Sequence, residues 1–459
     1  MPTRISKQRF NEFTFGVRCN GKDTNWQDVS YWSTHAGEAL ATLFYVEKVD
    51  AFIGALFLRD DHQRFRPFPP LVPFRTKRAG ELSIREKLAS IEKRTTPLNQ
   101  SNAKGKQGVD LFTITHDAPL NPIFVNIRDG EHSTAAKEMM TQIAYWFEDR
   151  DGNFVRDFQT TGTNARLWEL YLYRVFRDLD FDVDLSIATP DFALTRNDLK
   201  LFVEATTANP VDQEFVDLMA GLTPPPDEFW KFIENDMPMI FGSPLFSKQK
   251  KAYWEKKPVK GHPFAIAIAD FHAPGSMTWS HIALPIYLYG VSVNRIPGPH
   301  GKDVVVAKPL NTHKKGDKEI PAGYFSQPGT EHISAVIFSN AGTKAKFTRM
   351  GTLAGFGDVD MTVRREGVLS NPQPGALDGI KFNINIESPE YHEKWCDELE
   401  IYHNPNALIP WPDETVIPEA THFKKQNDEL VWHGEPFRVL NSLTWVKKRP
   451  PFSDADGTL

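Results

Sequence analysis

Two cysteines in 459 residues, Cys19 and Cys396, are too few and too far apart for a disulfide framework or a cysteine-based zinc site. That scarcity fits a reducing cytoplasm. Long apolar runs are also missing. The longest, FAIAIADF and IALPIYLYG, fall far short of the ~20 residues that span a bilayer, and the start MPTRISKQRFNEF lacks an apolar signal-peptide core. No membrane partner is expected. Positive charge is not in excess: 53 Lys and Arg stand against 59 Asp and Glu, a net charge of −6. This counts against a surface that grips nucleic acid all over, but not against a local basic cleft. The chain also lacks GxxxxGK(S/T), GxSxG, HExxH and paired CxxC elements, so no ATP-driven motor is visible. The glycines of GTLAGFGD lack the strand–helix setting of a dinucleotide site.

What is present is an ordinary globular composition, 40% hydrophobic and 24% charged, with 33 Phe and 11 Trp to fill thick cores. Its length suits two or three domains. Residues 1–94 read as an N-terminal accessory α+β module. In it NEFTFGVRC alternates like a strand, and HAGEALATLFYVEKVDAFIGALFL reads as a helix running into an apolar segment. The prolines of RFRPFPPLVPF break regular structure, and ELSIREKLASIEKR (81–94) is a helix. The polar residues 95–108 form a linker.

Residues 109–459 are expected to form a mixed α/β domain. VDLFTIT and PIFVNIRD read as strands, and STAAKEMMTQIAYWFEDR as a helix opened by Ser133 or Thr134. A second helix runs from about Asn164 to Asp180, followed by a hairpin in TPDFALTRNDLKLFVEATT (189–207). After the proline break AGLTPPPDEFW come a helix in PLFSKQKKAYWEKK and a buried strand in PFAIAIADFH. Residues 291–330, rich in Gly, Pro, Lys and His, read as an extended insertion. HISAVIFSNAG and ELEIYHNPNALIP supply later strands, and a C-terminal extension follows.

The chemistry concentrates on the hairpin. Side chains alternate along a strand, so Glu204 and Thr206 share one face while Val203 and Ala205 take the other. Asp191, at the head of the first strand, can lie beside Glu204 near the end of the second. Two such carboxylates repel unless a cation sits between them, and Mg²⁺ prefers oxygen ligands. Glu169 lies within ARLWELYLYRVF, a helix apolar nearly all round, where an unpartnered carboxylate is very costly. A bland reading stands beside this one: Asp191 caps the turn after Pro190, Glu204 pairs with Arg166 or Arg174, and Glu169 finds an arginine.

Glu on a helix, PD before one strand and E-x-T in the next resemble the PD-(D/E)xK nucleases, which share the restriction-endonuclease-like fold. The resemblance covers roughly residues 160–290 and the strand near 332–340. It implies that Asp191, Glu204 and the Ala205 carbonyl hold Mg²⁺ or Mn²⁺, with Glu169 as a supporting acid. The departure is Thr206, where the family usually has lysine. Threonine can orient a water but cannot supply positive charge. The helix with SKQKK offers the missing cation, Lys248 first and Lys251 second, with Lys250 toward substrate.

Asp270 and His272, after the next strand, could line a substrate cleft, although a polar strand-end loop that also holds His281 is the more ordinary reading. His403, Asn404 and Asn406 look like a turn. The basic clusters RTKR, KAKFTR, NTHKKGDK and SKQKK are solvated surface by default, yet a nucleic-acid groove would need such groups. The resemblance therefore implies a bacterial-type cytoplasmic metal-dependent endonuclease. Its substrate would be DNA before RNA, its role defence against foreign DNA, and a homodimer one way to cut both strands. The alternative is a catalytically inactive module of the same fold that binds nucleic acid or a protein partner.

Overall fold

The computed structural model describes residues 1–17, 26–69, 72–94, 107–209, 222–297, 303–373, 376, 378–426 and 429–449. Its centre is a mixed eight-stranded sheet. From one edge to the other the strands are Glu429–His433, Thr421–Gln426, Leu399–His403, Ala335–Ser339, Phe264–Asp270, Leu199–Ala208, Phe192–Arg196 and Asp182–Asp184. The last three form an antiparallel meander, and Leu199–Ala208 runs parallel to Phe264–Asp270. Along the chain this region reads helix, three strands, helix, strand. The protein is thus of the mixed α/β class. No helix among the described residues is long and apolar enough to cross a membrane.

Alternation decides which helix covers which face. Leu201, Val203 and Ala205 pack with Leu167, Tyr171 and Val175 of the helix Thr163–Asp178. Trp168 of the same helix donates its indole N–H to the Ala267 carbonyl at 3.2 Å. Phe202, Ile266 and Ile268 point to the opposite face, where the helices Met237–Gln249 and Ala283–Tyr289 cover them. The hairpin closes through a two-residue loop between the paired Arg196 and Leu199. Asn197 takes φ 54° there, a left-handed conformation that asparagine tolerates well.

Several expected elements differ from those observed. NEFTFGVRC was expected as a strand, but its start lies in the helix Lys7–Thr14. Ser6 caps that helix by accepting the Arg9 amide at 3.0 Å, and Phe10 and Phe13, three residues apart, are both buried. The expected helix in HAGEALATLFYVEKVDAFIGALFL is two strands, Ala39–Val46 and Ala51–Arg59, within a five-stranded antiparallel sheet. Ala39, Ala41 and Leu43 face the helix Lys77–Glu92, while Leu40 enters the large core on the other side. A strand buried on both faces has no polar alternation, so its periodicity cannot separate it from a helix.

PIFVNIRD, expected as a strand, is the helix Pro122–Asp129. Asn121 caps it by accepting the Ile123 amide at 2.8 Å, with proline in the first turn, where its missing N–H costs nothing. VDLFTIT forms no strand: Asp110 accepts the amides of Phe112 and Thr113 and so folds a local turn. The insertion 291–330 is not merely extended but contains two hairpins, Val291–Pro297 with Asp303–Pro309 and Thr312–Lys315 with Lys318–Pro321. The C-terminal extension builds a three-stranded sheet from Ile380–Asn385, Met361–Leu369 and Val439–Lys448. The proposed linker, apart from Gln107 and Gly108, lies outside the described residues, as does Cys19; Cys396 is a buried free thiol.

Candidate active site

The hairpin, the helix Thr163–Asp178 and the end of the helix Met237–Gln249 converge on three carboxylates, Glu169, Asp191 and Glu204. Asp191 sits one residue before the strand Phe192–Arg196 and reaches across the pair. Its Oδ2 accepts the Ala205 amide at 2.8 Å, and its own amide donates to Glu204 Oε2 at 3.2 Å. The other carboxylate oxygen of Asp191 faces Arg150 Nη2 at 3.2 Å. Arg150 also donates to the carbonyls of Ile187, Pro190 and Asp191, so it clamps the approach to the hairpin.

Glu204 is only 3% exposed. Its Oε1 accepts from Lys248 Nζ at 2.6 Å and from Tyr253 Oη at 2.7 Å. Burial first, and then the charge of Asp191, push the Glu204 carboxyl above its ordinary range, against Lys248 and Tyr253. Glu169 accepts from Arg166 Nη1 at 3.0 Å on both oxygens, and Arg166 also reaches Asp157 at 2.7 Å. Burial and the charge of Asp191 nevertheless push Glu169 up to about 8. Three acids and three cations thus crowd together, with Asp191 acting on both glutamates.

No family model, curated protein or solved structure matches the chain. The reading of this site therefore rests on its own geometry.

A cavity of about 20 Å³, room for one water or a small ion, opens among Arg150, Arg166, Glu169 and Asp191. Its acids offer oxygen ligands, but Arg150 and Arg166 line the same cavity and already pair with Asp191 and Glu169. Among the described residues no group of three or more His, Cys, Asp and Glu side chains is set to share a metal ion. Asp191 meets Glu169 across this cavity and meets Glu204 through the main chain.

The remaining candidates separate. Thr206 is half-buried and lies two residues beyond Glu204 on the same strand, paired with Ile268. Lys248 reaches the hairpin, but the helix ends at Gln249, and Ala252 breaks its course with φ 45°. Lys251 thus lies beyond the helix that carries Lys248; its ammonium lies 5.9 Å from the Tyr253 ring. Lys250 lies over the Phe246 ring at 4.4 Å. Asp270 pairs with Ala208, four residues beyond Glu204, which is about 13 Å along a strand. It is fully buried and accepts from the His272 amide, His272 Nδ1, Ser276 and Ser280, a set that stitches its own loop.

Sequence reasoning missed Arg150, which lies 41 residues before Asp191 in a run of acids and gives no local signal. Tyr253, whose hydroxyl donates to Glu204, was likewise not among the candidates. Arg174, offered as a partner for Glu204, instead binds Glu12 at 3.1 Å.

Proposed function

We propose that the protein is a metal-dependent nuclease that hydrolyses phosphodiester bonds of DNA, on a restriction-endonuclease-like core. The observation that carries this reading is the Lys248–Glu204 contact at 2.6 Å. A lysine from the following helix supplies the positive charge that Thr206 cannot, beside the carboxylates of the hairpin. The helix, three-strand, helix, strand order around the site supports the fold assignment. In this reading Asp191, Glu204 and the Ala205 carbonyl hold Mg²⁺ or Mn²⁺, which supplies charge neutralisation and an activated water when bound. Lys248 offsets charge on the scissile phosphate, and Glu169, pushed up to about 8, can hold or release a proton at its carboxyl near neutrality. Thr206 orients a water through its hydroxyl.

A second reading has its own support. The carboxylate oxygens of Asp191, Glu204 and Glu169 already meet protein donors, and the lysine of E-x-K is replaced. A non-catalytic module that binds nucleic acid would have the same features. A cleavage assay on plasmid and linear DNA with Mg²⁺ or Mn²⁺ separates the two. The nuclease reading expects cleavage that stops with EDTA, with Asp191→Ala and with Glu204→Ala. Equal cleavage by all three proteins, or DNA binding without any cleavage, overturns it.

A further inference from the structure

Between residues 248 and 260 the chain carries six lysines and a single acid, Glu255, in a protein whose net charge is −6. Lys248 belongs to the carboxylate site, where it pairs with Glu204. The other five, Lys250, Lys251, Lys256, Lys257 and Lys260, are exposed, and among the described residues none forms an ion pair. Their backbone gathers them. The turn after the helix brings Lys251 and Lys256 to the same ring, 5.9 and 5.2 Å from the centroid of Tyr253, whose hydroxyl holds Glu204. Lys256 also donates to Thr189, two residues before Asp191. A further turn, with the Val259 and Lys260 amides bonded to the Lys256 carbonyl, keeps Lys260 within one turn of Lys256. The ridge is thus continuous with the carboxylate site through Tyr253 and Thr189.

Five hydrated like charges without ion-pair partners repel one another, and a polyanion laid along them would relieve that repulsion. The composition of the ridge says which kind. Lysine ammoniums are point charges suited to phosphates, and the ridge holds no arginine fork for base edges. Its aromatics are engaged in other contacts, although Phe246 stays 46% exposed. Tyr253 is buried, Trp254 is stacked on His332 at 5.0 Å, and Lys250 covers Phe246. Single strands are held largely by stacking on open aromatics, whereas a duplex turns its bases inward and presents phosphates.

We infer that Lys250, Lys251, Lys256, Lys257 and Lys260 form the seat for the phosphate backbone of a DNA duplex and lead it to the hairpin carboxylates. The choice of DNA rests on the nuclease reading above; the phosphate chemistry does not. The test is binding of a short labelled duplex to the full chain in EDTA, followed by anisotropy between ~50 and ~200 mM salt. The triple variant Lys251→Gln/Lys257→Gln/Lys260→Gln is expected to melt like the parent and to bind at least ~10-fold more weakly. Its salt slope should be shallower by about 2–3, close to one for each lost phosphate contact. Unchanged affinity and slope overturn the inference, as does tighter binding of single-stranded DNA or an RNA duplex. Glu204→Gln keeps the two proposals apart, since it is expected to abolish cleavage while leaving binding and slope intact. Ridge-dependent binding by a parent that never cleaves would uphold the ridge and sink the nuclease.

Discussion

Asp191 and Glu204 are tied through the backbone: the Asp191 amide donates to Glu204 Oε2 at 3.2 Å, across the strand pair that separates them by 13 residues. In return, Asp191 Oδ2 takes the amide of Ala205, the residue after Glu204. Each acid therefore fixes the main chain on which the other stands. The two carboxylates are held near one another by structure, before any ligand arrives.

That tie predicts a separation of stability from activity. Asp191→Ala leaves the Ala205 amide without its acceptor in a buried strand, at a cost of ~1–3 kcal/mol. Asp191→Asn keeps an oxygen in place and is expected to lose under ~1 kcal/mol while losing cleavage entirely. Urea unfolding of both variants, set beside their cleavage rates, checks this. Equal destabilisation by Ala and Asn would show that the Ala205 hydrogen bond is immaterial.

The raised acids set a pH dependence. Glu169 titrates at about 8 in the folded chain, against an ordinary value of 4.5, and Glu204 is shifted the same way. Between those values the folded state binds the proton and the unfolded state does not. Stability is therefore greatest at low pH in this window and falls as pH rises from about 4.5 to about 8. A cation that relieves the repulsion acts oppositely, so Mg²⁺ should raise the melting temperature more at pH ~8 than at pH ~5. Glu169→Gln is expected to flatten the pH dependence. Melting curves across this range, with and without Mg²⁺, make the comparison.

Much of the site was legible because its signals are local. The buried helix around Trp168, the Asn197 turn and the alternation through Glu204 all declare themselves within a few residues. Lys248 could be anticipated because Thr206 left a specific charge unfilled. Arg150 could not, since it lies in a connection between helices that only the tertiary fold brings to Asp191. The N-terminal sheet was obscured for a different reason. Ala39–Val46 is buried on both faces, so the alternation that marks a strand was erased by the fold itself. Pro122–Asp129 carries a helix signal in its Asn121 cap, but a short apolar run rich in β-branched residues fits a strand equally well.

Lys248→Met tests the charge pair directly. It leaves Glu204, 3% exposed, beside the Asp191 carboxylate with Tyr253 and the Asp191 amide as its remaining donors. Breaking a fully buried pair costs ~3–5 kcal/mol, and the partial exposure of Lys248, 21%, brings the expectation to about 2–3. The Glu204 carboxyl should rise further once the Lys248 charge no longer opposes burial and Asp191. A cleavage loss of ~100-fold or more is expected, the usual cost of removing one preorganised positive donor. A variant of ordinary stability and activity would show that Lys248 is a surface lysine resting on the hairpin by chance.

Thr206 provides the decisive reciprocal. It shares the strand face of Glu204, two residues on, and is half-buried, so a longer side chain there projects toward the same region as the Lys248 ammonium. If Lys248 supplies the charge that E-x-T lacks, Thr206→Lys should restore it from the strand. The double variant Thr206→Lys/Lys248→Met is then expected to recover at least ~10-fold of the cleavage that Lys248→Met loses, an electrostatic gain of about 1.4 kcal/mol in the transition state. Thr206→Lys alone should add little, because a second ammonium beside Lys248 is repelled by the first. Rates for the four proteins at one Mg²⁺ concentration complete a double-mutant cycle. Coupling of the two positions supports a single cationic role filled from either element. Additive losses with no rescue would mean that the Lys248–Glu204 contact holds the fold together and that the charge on the phosphate comes from elsewhere.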